Sequence, residues 1–236
     1  GTERMAIEFA KQGLIGKARA RPDLVKQVIE KVNRDGFRKT FETVMARLYE
    51  PLPLGYSASG VVKSVGVGLE GNFHVGKRVA IAGAGIANHA EFNVVPRNLV
   101  ASIPEGVSND AAAFGTVGAI ALHAVRNAKP EIGDVVAVLG CGLIGQMVMR
   151  LLTISGCRVV ALDYNPKRLE LASALGAEWA LDLSGNGIEE SVREATAGRG
   201  ADSVVIAAAT ESSEPFERAA SIARDRARVI MVGMTG

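Results

Sequence analysis

Cysteine, histidine and long apolar runs are all scarce in this sequence, and each shortage closes off a class of protein. Only two cysteines, Cys141 and Cys157, occur among 236 residues. They are too few for a disulfide framework and lack Cys-x-x-Cys spacing. Two reduced thiols in a cytoplasmic protein are the expectation. The three histidines, His74, His89 and His123, are too scattered to form an obvious ligand set. No apolar run reaches the roughly 20 residues of a membrane helix, and no basic-then-apolar leader opens the chain. No membrane partner is therefore expected. Charge of one sign is missing too: 27 Lys and Arg face 25 Asp and Glu, for a net of +2. That balance argues against a nucleic-acid partner. Residues 1–50 carry 11 Lys and Arg against 7 Asp and Glu, a local excess that reads as a solvated helical face.

Apolar residues, at 48 % of the chain, and 27 glycines are plentiful. The length suits one large domain or two of ordinary size. Residues 2–48 read as helical. Leu24, Val25, Val28, Ile29 and Val32 share one face, Pro22 and Asp23 suit a first turn, and Asp35-Gly36 suits a stop. Phe37, Phe41, Val44, Met45 and Leu48 form a second stripe, ended by Pro51-Leu52-Pro53. Short strand-like runs follow at 60–66, 78–81 and 90–95, divided by glycines as in small β-barrels. Ser108 can cap a helix of small residues running to about Asn127. After Gly133-Asp134, strands at 135–139, 158–163, 179–182, 204–208 and 229–232 alternate with amphipathic helices. One of these helices carries the stripe Phe216, Ala219 and Ile222. Such alternation predicts an α/β fold, a doubly wound parallel sheet covered on both faces.

The first of those strands runs into Gly140-Cys141-Gly142-Leu143-Ile144-Gly145, and a helix follows. In that context each glycine has a task. Gly140 permits a tight turn. Gly142 removes a side chain where backbone must approach a pyrophosphate, and Gly145 lets helix and strand pack closely. The helix N-terminus, at Leu143 and Ile144, offers free N–H groups to phosphate oxygens. The next strand ends at Asp163, 18 residues after Gly145, where a carboxylate can accept hydrogen bonds from the adenosine ribose and repel a 2′-phosphate. That favours NAD. Arg168, five residues on, can accommodate a 2′-phosphate, so NADP stays open.

Several ordered segments resemble the medium-chain dehydrogenase/reductase superfamily of the zinc alcohol dehydrogenase type. Leu54-Gly55-Tyr56-Ser57-Ala58-Ser59-Gly60-Val61-Val62 is similar to its L-G-H-E-x-x-G-x-V. Phe73-His74-Val75-Gly76-Lys77-Arg78-Val79 is similar to F-x-x-G-D-R-V. Ala90-Glu91-Phe92, Ile103-Pro104 and Gly198-Arg199-Gly200-Ala201-Asp202 have counterparts in the same order. Gly1-Thr2-Glu3 resembles the G-T-D after the family's first zinc-binding cysteine. The resemblance implies a fragment. Residues 1–107 would be a partial β-rich GroES-like catalytic domain with a helical insertion. Residues 108–236 would be a Rossmann domain lacking its sixth strand. The insertion, with Gly16–Pro22, resembles a bacterial subgroup of two-part oxidoreductases. The sixth strand is the family's pairing edge, so the full-length protein is expected to be a homo-oligomer.

Tyr56-Ser57 replaces the family's zinc-ligating His-Glu, and no four closely spaced cysteines supply a structural-zinc lobe. Zinc is therefore not expected. The resemblance places Thr2 at the family's hydroxyl relay and Tyr56 where the His ligand stood, and these two are the catalytic candidates. Tyr56 has an equal reading as a packed aromatic beside a strand. His89 reads as an exposed loop residue and His123 as structural. Thr116 resembles the interdomain helix start near the nicotinamide, and Thr210 falls at the carboxyl end of a sheet strand. Both are cofactor candidates beside Gly140, Gly142, Leu143, Ile144, Gly145, Asp163 and Arg168. The implied activity is hydride transfer between NAD(H) and an alcohol, polyol or sugar hydroxyl, bound between the two parts. Two alternatives remain open: a zinc-free NADPH-dependent enone or quinone reductase, and a nucleotide-binding module without turnover.

Overall fold

The computed structural model describes residues 7, 11, 22–37, 40, 41, 44, 53–210 and 212–233. The chain divides into two compact units, Gly1–Glu105 and Gly106–Gly236.

In the first unit, helix α1 spans Pro22–Asp35. Gly36, at φ +85°, ends it, and its N–H donates to the Val32 carbonyl at 2.9 Å. Val25, Val28 and Val32 are half-buried on one face, but Ile29 is exposed and leaves the expected stripe. Phe37 and Phe41 stack with their centroids 6.0 Å apart and stay exposed, so they do not form the second buried stripe either. Met45 and Leu48 lie outside the described residues. Strands β1 (Ser57–Val61), β2 (Arg78–Ala82) and β3 (Val100–Ser102) form a three-stranded antiparallel sheet in that order. Residues 90–95 form no strand, contrary to the expectation from their sequence. The Asn88 N–H instead donates to Asn93 Oδ1 at 3.1 Å and Asn93 Nδ2 donates to the Asn88 carbonyl at 3.2 Å. The side chain has taken the place of a ladder partner.

The second unit opens with α2 (Asn109–Ala112) and α3 (Gly115–Ala128). Ser108 caps α2 as expected, accepting from the Ala111 N–H at 3.1 Å. The single helix expected here breaks at Phe114, whose φ of −86° and ψ of 3° leave the helical region. Then come β4 (Val135–Leu139), α4 (Leu143–Ile154), β5 (Arg158–Asp163), α5 (Pro166–Ala174) and β6 (Trp179–Asp182). They are followed by α6 (Ile188–Ala195), β7 (Ala201–Ile206), α7 (Glu214–Ile222) and β8 (Ala223–Met231). The sheet is parallel, in the order β6-β5-β4-β7-β8. This is a Rossmann-type doubly wound fold.

Strand alternation explains how both faces are covered. Val136, Val138, Val159 and Ala161 point to one face and pack with Val125 of α3, Val148, Met149 and Leu152 of α4 and Leu169 of α5. Val135, Ala137, Leu139, Val160 and Leu162 point to the other and meet Ile188 and Val192 of α6 and Ala219 and Ile222 of α7. Phe216 departs from the expected stripe and is exposed, because Pro215 takes the inward position one residue earlier. Strand β8 starts six residues before the apolar run that marks it in sequence. Its first part is the charged run Arg224-Asp225-Arg226 on an edge strand, which hydropathy reads as loop.

Candidate functional site

The strand order reverses about β4, where β5 and β6 lie to one side and β7 and β8 to the other. In such sheets ligands bind outside the carboxyl ends of the strands at that switch point. The glycine loop leaves β4 there. The Gly140 N–H donates to the Leu162 carbonyl at 2.8 Å, and φ at Gly140 is +96°. A Cβ on Gly140 would stand 2.7 Å from the Ala208 nitrogen, so the loops after β4 and β7 touch. A Cβ on Gly145 would run into the Gly140 carbonyl oxygen. Both glycines are therefore required by packing within the protein. Gly142 differs: a Cβ there would meet open space. It caps α4 without a side-chain hydrogen bond, so the first-turn N–H groups at Leu143 and Ile144 are left for another acceptor.

Asp163 ends β5 and is 6 % exposed. Its Oδ2 accepts from the Cys141 N–H at 2.7 Å and its Oδ1 from the Asn165 N–H at 2.8 Å. The carboxylate thus ties the glycine loop to the turn before α5. Asn165 then caps α5, accepting from the Lys167 N–H at 3.0 Å. Arg168 Nη1 lies 3.5 Å from Asp163 Oδ2, with the Arg168 side chain half exposed. Sequence reasoning placed Asp163 near the ribose but missed its bond to the loop. The Cys141 thiol is buried beside this carboxylate. Burial and then the Asp163 charge push it up to about 12.

The fold brings Gly140, Gly142, Leu143, Ile144, Gly145, Asp163 and Arg168 into one group. Thr210 follows Ala208, which packs against Gly140, and its Oγ1 accepts from the Ser212 N–H at 3.2 Å. Thr116 is half-buried in the first turn of α3. In the first unit Tyr56 is half-buried, and its carbonyl accepts from the Gly83 N–H at 3.0 Å. Its neighbour Gly55, at φ +103°, lies so close to the next segment that a Cβ would come within 2.8 Å of the His89 nitrogen. His89 itself is exposed, as are His74 and His123. Thr2 lies outside the described residues.

Among the described residues, no group of three or more His, Cys, Asp or Glu could hold a metal ion. Tyr56 and Ser57 do not supply the nitrogen and carboxylate donors of a zinc site, so zinc does not fit the described residues. A dinucleotide does fit: the open space at Gly142, the uncapped start of α4 and the buried carboxylate supply room, donors and acceptor. Three further residues at the loop were not expected from the sequence: Gln146, whose amide donates to the Cys141 carbonyl at 3.1 Å, Ala208 against Gly140, and Gly233, where a Cβ would run into the Ala208 carbonyl. Gln146 had a visible signal, a polar side chain inside an otherwise apolar helical stripe. Ala208 and Gly233 had none, because only the folded loops bring them together.

Residues 144–236 match the family model described as zinc-binding dehydrogenase. The chain is 32 % identical over 152 residues to (R,R)-butanediol dehydrogenase of Bacillus subtilis, covering 54 % of this chain and 43 % of that protein. It thus spans less than half of that relative's length. Among solved structures, a mycobacterial protein complexed with NADPH superposes with a TM-score of 0.69 at 26 % identity. The match covers 80 % of this chain and 60 % of that one. An Escherichia coli alcohol dehydrogenase complexed with NADH gives a TM-score of 0.65 at 27 % identity, over 75 % of this chain and 59 % of that one. In its glycine loop and sheet order, as in these matches, the chain is similar to dehydrogenases of the zinc-binding alcohol dehydrogenase type.

Proposed function

We propose that this chain binds NAD(H) and serves reversible hydride transfer to and from an alcohol, polyol or sugar hydroxyl. One observation carries the reading: the buried Asp163 carboxylate, hydrogen-bonded to the glycine loop at 2.7 Å, beside open space at Gly142. The first-turn N–H groups of Leu143 and Ile144 would hold the pyrophosphate, with Gly142 leaving the room. Asp163 has lone pairs beyond those used by Cys141 and Asn165, and these accept from the ribose hydroxyls. Thr210 and Thr116 are further contacts toward the cofactor. NAD, when bound there, would supply the hydride acceptor for oxidation of the hydroxyl-bearing carbon. The hydroxyl proton leaves through the chain's own groups, for which Tyr56 and Thr2 are the candidates. The relatives' names support an alcohol or polyol as substrate class, and a nicotinamide is present in both solved neighbours.

The test is a fluorescence titration of the protein with NADH and NADPH, repeated on Asp163→Ala. NADH should bind tighter to the native chain, and Asp163→Ala should weaken NADH at least tenfold. Tighter native binding of NADPH overturns the NAD assignment and favours the reductase alternative, for which the half-exposed Arg168 is the supporting residue. NADH binding without turnover on alcohols, polyols and their carbonyl counterparts favours a binding module.

A further inference from the structure

Gln146 follows the last glycine of the loop and is 8 % exposed. Its Nε2 donates to two carbonyls: Cys141 in the glycine loop at 3.1 Å and Arg168 in the first turn of α5 at 2.9 Å. Those two acceptors fix the orientation of the amide, since the reversed form would set its oxygen against two carbonyl oxygens. The amide oxygen is buried with no hydrogen-bond partner among the described residues. An unpaired buried acceptor is a cost that an apolar side chain of similar length would avoid. The two donated bonds are what the amide adds at this position.

These bonds complete a ring. The Cys141 N–H holds Asp163 Oδ2, and Asp163 Oδ1 holds the Asn165 N–H. The Arg168 N–H donates to the Asn165 carbonyl at 3.0 Å, and Gln146 closes the circuit from Arg168 back to Cys141. We propose that Gln146 is a specificity-positioning residue, whose amide pins the first turn of α5 to the glycine loop and so sets how Asp163 and Arg168 face the adenosine ribose. This rests on the cofactor reading above. Without the bridge, α5 can shift against the loop, and the half-exposed Arg168 side chain loses its fixed place beside Asp163. Discrimination against a 2′-phosphate weakens, whereas the pyrophosphate seat at Leu143 and Ile144 stays.

The test is fluorescence titration of the full chain with NADH and NADPH, for native protein, Gln146→Met and Gln146→Ser. Methionine keeps the length and removes both donors. Serine leaves room for water. In either variant the Kd for NADH should rise about five- to tenfold, as expected for lost hydrogen bonds. The Kd for NADPH should change less than about twofold, so the preference for NADH falls at least about 2.5-fold. An equal rise for both dinucleotides marks a general loosening and overturns the proposal, as does no change in either. Native protein that binds neither dinucleotide sinks the cofactor reading itself, and this inference with it. If Gln146→Met does not melt cooperatively, Gln146→Ser carries the comparison. Failure of both variants to fold would make Gln146 a folding residue and overturn the specificity role.

Discussion

At the scale of single residues, the three loop glycines differ in what they exclude. Gly145 faces protein and Gly142 faces open space. Gly145→Ala therefore drives its methyl into the Gly140 carbonyl. Overpacking of this kind costs about 1–3 kcal/mol, which lowers Tm by several degrees in a domain of this size. Differential scanning calorimetry should show that loss without cofactor present. Gly142→Ala should leave the apo melt within about 1 kcal/mol of native, since no protein atom opposes the methyl. It should still weaken NADH binding, because the methyl occupies the proposed pyrophosphate seat. Equal melts for the two variants would remove the distinction. Cys141 supplies a pH test. Its thiol ordinarily titrates near 9.0 and is held up to about 12 here, first by burial and then by the Asp163 charge. Below pH 9.0 both native and unfolded chains keep the proton, and the group adds no pH dependence. Between 9.0 and about 12 only the unfolded chain releases it, so stability falls as pH rises. Cys157, raised by burial and by the charges of Asp134 and Asp202, acts with the same sign. Denaturant midpoints should therefore drop between pH 8 and pH 10.5, less steeply in Cys141→Ala than in native protein. Iodoacetamide at pH 8 should label neither thiol until denaturant is added.

At the scale of elements, the turn from β5 into α5 joins fold and site most directly. Asn165 caps α5 from its side chain, with Pro166 at the first helical position. Asn165→Ala should cost about 1 kcal/mol in denaturant unfolding. The same turn carries Asp163 and Arg168, so NADH affinity should fall in that variant as well. Replacing Glu178, whose fork with Arg158 sits half-exposed on the surface, should move the midpoint less than Asn165→Ala does. Strands β4, β5 and β6 were legible in the sequence because their burial is carried by contiguous apolar residues between clear turn signals. The glycine loop was legible because its glycines stand between a β-branched strand and an amphipathic helix. Less could be read where context decides. Strand β3 has only three residues and exists through β2. The run 90–95 alternates like a strand, yet Phe92 and Val94 are exposed and its polar neighbours close a local turn. The Asp163–Cys141 bond could not be read at all, because 22 positions separate partners that only the parallel register of β4 and β5 brings together.

At the scale of the whole molecule, the two units differ in how much core they own. Both apolar clusters among the described residues, from Ala121 to Ile222 with Val232 packed alongside, lie in the unit Gly106–Gly236. Its five parallel strands are covered by helices on both faces, which is the condition such sheets need. In the first unit, the described buried apolar residues are Val79 and Ala87 alone, while Val61, Val67, Val75, Phe92 and Val94 are exposed. Burial contributes roughly 25 cal/mol per Å² of apolar surface, and three short strands with so few buried apolar residues among those described gain little of it. Residues 106–236 expressed alone should therefore fold, melt cooperatively and bind NADH with an affinity close to that of the whole chain. Residues 53–105 alone should show no cooperative transition. Trp179, the only tryptophan, sits on β6 and reports the second unit selectively. Its emission in 106–236 should match that of the full chain and shift red in one step with guanidinium. A second unit that unfolds gradually, or a first unit that melts sharply by circular dichroism, would overturn this division of the core. If NADH binding survives in 106–236 while turnover is confined to the full chain, the cofactor seat belongs to the loop, Asp163 and Gln146. The proton-moving groups then lie in the first unit, where Tyr56 is the residue to change first.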